Sequence, residues 1–387
     1  MKIQLLNKIA QVGLDRFPKS YSVAETVEFP EGILVRSANM HEMDIPDSLL
    51  AVARAGAGVN NIPIDRMTEK GIVVFNTPGA NANGVKELTI AALFLSARDI
   101  YGGIKWSETL TENVAKIVEK GKSAFAGIEL RGKTLGVIGL GAIGGLVANA
   151  ATSHAIGMNV IGYDPYLSID SAWNLSSSVK RAQSYDEIFE KCDFITLHIP
   201  ATSEMKGMIN ADAIAKMKNG IRLVNLSRAE LVDDEALITA LECGKIARYV
   251  TDFPTDRTIG VKNLVTIPHL GASTEESEEN CAIYAVDEIV DYLENGNIRN
   301  SVNLPKVSMP RTTGARLTVM HKNVPSVLSK ISSAIAEKGL NIAHMNSASK
   351  KDIAYTMLDL DAETVDDQLL DVIKNIDGYM FSRVIMS

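Results

Sequence analysis

Short apolar runs, closed off by glycine, proline or polar residues, recur along most of this 387-residue chain. Ile3 to Leu6, Gly32 to Arg36, Leu50 to Arg54 and Val73 to Asn76 are continuous rather than alternating, the pattern of strands buried on both faces of a parallel sheet. Polar or helical stretches separate them, which predicts an alternating α/β order. Each strand from Gly32 onward leads into a loop of polar residues or glycines: VRSANM (35–40), RAGAGVNNI (54–62) and NTPGANANGVKEL (76–88). In a parallel sheet these loops share the carboxyl edge, where open α/β folds bind ligands. Glu87 to Arg98 predicts a long apolar-rich helix, and a helical region, Asp99 to Gly121, follows.

The stretch LGVIGLGAIGGLVANAATSHAIGMNVIGYD (135–164) carries the most specific pattern. A buried strand, Leu135 to Ile138, runs into Gly139, Gly141 and Gly144, and a helix is expected from Ala142 to about His154. The G-x-G-x-x-G spacing permits a tight turn, close approach of a pyrophosphate to the backbone, and close packing of helix on strand. The helix N-terminus would face the phosphates. A second strand, Met158 to Gly162, ends at Asp164, 25 residues beyond Gly139. A carboxylate there can accept hydrogen bonds from an adenosine ribose and would repel a 2′-phosphate, so the expected cofactor is NAD. Further strands are expected at Phe194–His198, Arg222–Leu226, Tyr249–Thr251 and Leu264–Ile267, making a six-stranded doubly wound sheet.

A Glu-rich helix from Thr274 to about Asn295 ends at Gly296, and Ser301-Val302-Asn303-Leu304-Pro305 follows as an extended strap. The last seventy or so residues show a βαββαβ order: strands Leu317–Met320, Asn341–Ala348, Ala354–Leu360 and Met380–Ile385, with helices Val324–Gly339 and Val365–Asn375. The expected fold is therefore α/β: two Rossmann/flavodoxin-like doubly wound parallel-sheet domains and a ferredoxin-like C-terminal module. The expected boundaries are a substrate-binding domain at 1–98, completed by 274–303, a nucleotide-binding domain at 99–273, a linker at 304–314 and the module at 315–387.

Composition adds exclusions. The net charge of −8, with no basic block, argues against nucleic-acid binding. Cys192, Cys243 and Cys281 are odd in number and far apart, which argues against a disulfide framework or a zinc site and suggests reduced, mostly buried thiols. No apolar run approaches a membrane span and the N-terminus lacks a signal-peptide core, so a cytoplasmic protein is expected.

Three strand ends carry candidate chemistry. Asn225-Leu226-Ser227-Arg228 presents an arginine whose paired donors suit a carboxylate or carbonyl oxygen. Thr251-Asp252-Phe253-Pro254-Thr255-Asp256 supplies acids, and Pro268-His269-Leu270-Gly271-Ala272 supplies a histidine in a loop bounded by proline and glycine. Alcohol oxidation by NAD needs a base for the hydroxyl proton, a role suited to histidine. His41, His154, His198 and His344 are read as structural, although His198 at a strand end could lie near the cofactor.

Together GLGAIG with GYDP, NLSRAELVD, PHLGAST and the SVNLP strap resemble the D-isomer-specific 2-hydroxyacid dehydrogenases, and VRSAN, RAGAGVNNID and NTPGAN resemble their phosphoglycerate dehydrogenase branch. HKNVPSVLSKI and GLNIA in the C-terminal module resemble an ACT domain, a regulatory module that binds amino acids. The resemblance implies that Arg228 is the catalytic arginine and His269 the acid/base. It implies cofactor contacts at Ala142, Ile143, Asp164, Ile199, Pro200, Ser227, Asp252, Gly271 and Ala272, beside the three glycines. Arg36, Ser37, Arg54, Ala57, Gly58 and Asn81 match positions that hold the substrate's carboxylate and phosphate or lie against the nicotinamide. His321, Asn323 and Asn341 are the regulatory candidates, suited to L-serine.

Two departures from the family pattern stand out. The catalytic Glu-Pro of the family is Asp256-Arg257 here, so Asp256 is the expected orienting acid, with Asp252 or a water as alternatives. Ser326 stands where ACT loops usually carry glycine. The implied reaction is oxidation of 3-phosphoglycerate to 3-phosphohydroxypyruvate in serine synthesis, with 2-oxoglutarate reduction at the same site. Alternatives are a dehydrogenase of glycerate or lactate, and a non-catalytic NAD-sensing regulator. A homodimer or homotetramer is expected.

Overall fold

The computed structural model describes residues 1–312 and 314–386, which divide into two compact units, Met1–Ala80 with Glu278–Ser387, and Asn81–Ser277. The first unit contains a parallel sheet of β1 (Lys2–Leu5), β2 (Ser22–Ala24), β3 (Gly32–Val35), β4 (Ala51–Arg54) and β5 (Val73–Asn76), in the order β2-β1-β3-β4-β5. Four of these strands are the predicted ones. The fifth, β2, is a three-residue edge strand that is only partly covered, so it carries no apolar run.

Both faces of this sheet are covered, as the unbroken apolar runs require. On one face Ile3, Leu34, Ala53, Val73 and Phe75 pack with Ala282, Ala285, Val286, Ile289 and Leu293 of the helix Glu275–Asn295. On the other, Ile33, Val35, Val52 and Val74 meet Met40, Ile45, Ile62 and Met67.

The second unit is built on seven parallel strands: β6 (Thr134–Ile138), β7 (Asn159–Tyr163), β8 (Val179–Arg181), β9 (Phe194–Leu197), β10 (Ile221–Asn225), β11 (Ile246–Thr251) and β12 (Leu264–Thr266). Their order, β12-β11-β10-β9-β6-β7-β8, reverses direction between β6 and β9, the doubly wound arrangement that was expected. The strand beyond the six predicted, β8, is again a short, mostly polar edge. The helix Ala82–Ala97 buries Val85, Ala92, Leu93 and Ala97 among Leu135, Val137, Val224 and Val250 of this sheet. It therefore belongs to the second unit, and the first stretch of the first unit ends at Ala80, not at residue 98.

The C-terminal module forms an antiparallel sheet of β13 (Arg316–Lys322), β14 (Ile342–Lys350), β15 (Ile353–Leu360) and β16 (Tyr379–Ile385), ordered β14-β15-β13-β16. Leu317, Val319, Leu358 and Leu360 face the helices Val327–Glu337 and Asp367–Lys374. The alternate residues Met320, Tyr355 and Met357 face the other way and join the core that contains Phe75 and Tyr292. The module is thus packed on both faces, and β15 is buried along nearly its whole length.

A buried ion pair secures this packing. Arg316, fully buried, donates through Nε and Nη2 to the two carboxylate oxygens of Asp359 at 2.6 and 2.8 Å. Its remaining donors reach the carbonyls of Asn295 (2.9 Å), Met309 (3.3 Å) and Pro310 (2.7 Å). Burial alone would raise the Asp359 carboxyl, but the hydrogen bonds and charge of Arg316 outweigh it and hold the group below the usual carboxylate range. Arg316→Leu removes the paired guanidinium from buried Asp359 and is expected to cost about 3–5 kcal/mol in urea unfolding, whereas the double replacement Arg316→Met with Asp359→Leu is expected to recover most of that loss. A single variant as stable as wild type would show that the pair is dispensable.

Candidate functional site

In the second unit the ends of β6, β7, β9, β10, β11 and β12 share one carboxyl edge, and the predicted cofactor and catalytic residues of this unit gather there. The three fingerprint glycines have separate physical reasons. Gly139 has φ +87°, and a Cβ on it would lie 2.5 Å from the His198 carbonyl oxygen. A Cβ on Gly144 would lie 1.9 Å from the Gly139 oxygen, so only glycine lets the helix Ala142–Thr152 pack this close. Gly141 faces open space and supplies no capping side chain, which leaves the first turn of the helix, including exposed Ala142 and half-buried Ile143, to an external acceptor. This cradle fits a pyrophosphate.

Asp164 accepts from the Leu140 amide and the Tyr166 amide, both at 2.9 Å, so it braces the glycine turn and retains lone pairs for a ribose. Ile199 and Pro200 continue from β9, with the Ile199 side chain against Gly139. His198 is half-buried, and desolvation of its ring pushes the imidazole down to about 3, which favours the neutral form. Its Nε2 meets Thr196 Oγ1 at 3.0 Å, while Nδ1 has no partner among the described residues. It has the features of a structural group under the turn.

Beyond β10, the buried side chain of Asn225 shapes the loop that carries Arg228. Its Oδ1 accepts from the Ser227 and Arg228 amides at 3.1 and 3.4 Å, and its Nδ2 donates to the Arg228 carbonyl at 2.8 Å. Ser227 Oγ donates to the Leu197 carbonyl at 2.6 Å. The exposed Arg228 guanidinium lies 5.4 Å from the centre of the Phe253 ring, and the Phe253 and His269 rings are 4.5 Å apart. Phe253 therefore links the arginine to the histidine.

His269 is exposed and holds φ +42°, a left-handed conformation rare for a side chain other than glycine. Its amide donates to the carbonyls of Asp252 and Ile267, each at 3.0 Å. Asp252 itself is 1% exposed. Its Oδ2 accepts from the Gly271 amide at 3.1 Å, and Oδ1 has no partner among the described residues. Burial raises the Asp252 carboxyl, opposed by the Gly271 hydrogen bond and by the charges of His269 and Arg228. Asp256 is exposed, and among the described residues no hydrogen bond joins it to His269. Ala272 is half-buried beside Gly271.

The first unit holds most of the substrate candidates. Asn7 Oδ1 accepts from the amides of Arg36, Ser37 and Ala38 at 2.9–3.0 Å, which fixes the turn after β3. Arg36 Nη2 pairs with Glu278 at 2.6 Å, and Arg54 Nε donates to the Arg36 carbonyl at 3.0 Å. The Arg54 guanidinium lies over Gly56, where a Cβ would come within 2.6 Å of it. The loop bearing Ala57 and Gly58 is tied to β5: Asn76 Nδ2 donates to the Ala57 carbonyl at 2.6 Å, and Thr77 exchanges bonds with Gly56 at 2.9 and 3.1 Å. Asn81 lies in the other unit, at the N-cap of Ala82–Ala97.

The three regulatory candidates do not meet within one chain. His321 is buried, its ring nitrogens engaged by the Lys322 carbonyl (2.8 Å) and Thr356 Oγ1 (3.0 Å). Asn323 bonds near the β14–β15 turn, while Asn341 donates to Asp361 at the opposite end of these strands. Ser326 has φ +68°, which explains why glycine suits this position. Cys192 and Cys281 are buried, but Cys243 is exposed. Among the described residues no helix is long and apolar enough to cross a membrane, and no group of side chains could hold a metal ion. Sequence reasoning did not assign roles to Asn225, Phe253 or Asn7. Only the first two fell within stretches that it singled out.

Residues 91–271 match the D-isomer specific 2-hydroxyacid dehydrogenase NAD-binding domain, and residues 315–378 match the ACT domain. The chain is 35% identical over 315 residues to D-3-phosphoglycerate dehydrogenase of Synechocystis sp., covering 78% of this chain and 54% of that one, about half its length. It is 33% identical over 352 residues to the enzyme of that name from Haemophilus influenzae, covering 87% and 81%. A solved structure of NAD+-bound 3-phosphoglycerate dehydrogenase from Entamoeba histolytica aligns with a TM-score of 0.60 at 28% identity, over 78% of this chain and 98% of that one. The chain belongs to the D-3-phosphoglycerate dehydrogenase family of the D-isomer-specific 2-hydroxyacid dehydrogenases.

Proposed function

We propose that this protein oxidises 3-phospho-D-glycerate to 3-phosphohydroxypyruvate with NAD, the first step of L-serine synthesis. The observation that carries this reading is the Arg228–Phe253–His269 cluster above buried Asp252, on the same sheet edge as the glycine cradle. NAD, when bound, supplies the hydride acceptor. His269 takes the hydroxyl proton as a general base, and in the reverse direction returns it to the carbonyl oxygen. Arg228 presents donors to the substrate carboxylate and to the oxygen that becomes the carbonyl.

Arg36 and Arg54 are proposed to hold the substrate's anionic groups. Two arginines exceed what one carboxylate requires, which favours a phosphorylated acid. The exposed Arg36–Glu278 pair is weak enough to be exchanged for a substrate anion at little cost. Asp252 Oδ1, a buried acceptor without a donor among the described residues, fits an amide N–H such as that of a nicotinamide carboxamide.

NAD-reduction assays with 3-phospho-D-glycerate, D-glycerate and D-lactate are expected to give the highest kcat/KM for the phosphorylated acid. Activity on D-glycerate alone would overturn the substrate assignment. NAD binding without turnover of any 2-hydroxyacid would favour a non-catalytic sensor.

The identity of the orienting acid is a separate expectation. Asp252 is the buried carboxylate on which the His269 charge acts, so Asp252→Asn is expected to lower kcat. Asp256→Asn is expected to leave kcat nearly unchanged. The opposite ranking would assign the role to Asp256.

A further inference from the structure

Outside the cluster around His269, the buried carboxyl of Glu288 is the group whose connections lead furthest. Glu288 sits on the helix Glu275–Asn295 and is 8% exposed. Its Oε1 accepts from Asn300 Nδ2, and its Oε2 is buried without a partner among the described residues.

Asn300 opens the strap that runs beside β5. Its carbonyl accepts from the Asn76 amide at 3.4 Å, Val302 N donates to the Val74 carbonyl at 2.9 Å, and Ser301 bridges to Phe75 in antiparallel fashion. Asn76, the last residue of β5, uses its own side chain to hold the Ala57 carbonyl at 2.6 Å. A continuous hydrogen-bonded path therefore leads from Glu288 through Asn300 and Asn76 to the loop of Ala57 and Gly58.

We infer that Glu288 is a positioning residue, which sets through Asn300 and Asn76 how firmly the Ala57–Gly58 loop is held for an anionic substrate. The inference rests on the reading of that loop as part of the substrate site.

Two further features fit this role. A cavity of about 420 Å³ adjoins Glu288, bordered also by Arg16, Tyr284, Asp291 and Arg299. Burial pushes Glu288 up to about 7, with Asp287 adding to the rise and the Asn300 hydrogen bond and Arg299 opposing it.

The surrounding charges are otherwise engaged. Arg16 chelates Asp287 at 2.6 and 2.9 Å, and Arg299 lies 3.0 Å from Asp291. Lys350, from β14, donates to the Ser301 and Val302 carbonyls at 3.2 and 2.9 Å and steadies the strap from its other side. Ionised Glu288 grips Asn300 through a charge-assisted bond, which is stronger than the bond to a neutral carboxyl. The loop is therefore held more firmly as pH rises.

The test compares wild type with Glu288→Gln, which keeps an oxygen acceptor for Asn300 but cannot ionise, and with Asn300→Ala, which cuts the path. In wild type, KM for 3-phospho-D-glycerate is expected to fall roughly fivefold relative to Glu288→Gln between about pH 6 and pH 8, with kcat changed little. Asn300→Ala is expected to lose the same step. Titration of the substrate phosphate is common to all three proteins and drops out of the comparison.

Hydrogen exchange of the amides at 55–60 in the ligand-free protein reads the same device without any substrate. Protection in wild type should rise with pH relative to Glu288→Gln at matched pH. Equal protection in the two proteins would overturn the inference, as would a KM step that survives in both variants. If no 2-hydroxyacid is turned over, the substrate reading fails and the exchange comparison alone decides whether Glu288 controls the loop.

Discussion

The first unit depends on the chain returning to cover a sheet that its N-terminal eighty residues leave bare. The helix Glu275–Asn295 supplies that cover with Ala282, Ala285, Val286, Ile289 and Leu293 laid across β1, β3, β4 and β5. The strap that follows closes the sheet at β5. Asn303, buried there, accepts from the Val74 amide at 2.9 Å and donates to the Ile72 carbonyl at 2.8 Å, in the manner of a neighbouring strand. The C-terminal module docks where the helix ends. Tyr355 Oη donates to the Gly296 carbonyl at 2.8 Å, and Arg316 reaches Asn295. One helix thus organises the loops after β3 and β4, the strap and the ACT module as a single packed body.

The placement of the candidate site residues in the second unit follows from a different constraint, the parallel sheet. Because every strand points the same way, six loops open at one edge, and Gly139, Asp164, His198, Arg228, Asp252 and His269 are ranged along it although far apart in sequence. Small side chains and buried amides then set the details. Asn225 shapes the arginine loop, and the Gly271 amide fixes Asp252. Phe253 lies between Arg228 and His269, its ring 5.4 Å from the guanidinium and tilted against the imidazole.

Much of this was legible in the sequence because burial on both faces leaves continuous apolar runs, and because a dinucleotide turn demands glycine at fixed spacing. The strands that escaped notice, Ser22–Ala24 and Val179–Arg181, are short edges with little apolar surface to show. The helix Ala82–Ala97 was recognised in part, but which sheet it covers depends on tertiary packing that its own pattern does not encode. The different surroundings of Asp252 and Asp256 were equally hidden: they lie four residues apart, and only the fold buries the one and leaves the other in solvent. The same holds for His321, which reads as a ligand donor in a loop motif yet spends both ring nitrogens inside the module.

In the proposed reaction, hydride passes directly from C2 of a phosphorylated 2-hydroxyacid to the nicotinamide while His269 handles the proton. The most direct measurement is turnover of 3-phospho-D-glycerate deuterated at C2, with the NADH formed examined by mass spectrometry. The account predicts one deuterium in each NADH. Unlabelled NADH, with the deuterium released to water, would contradict it.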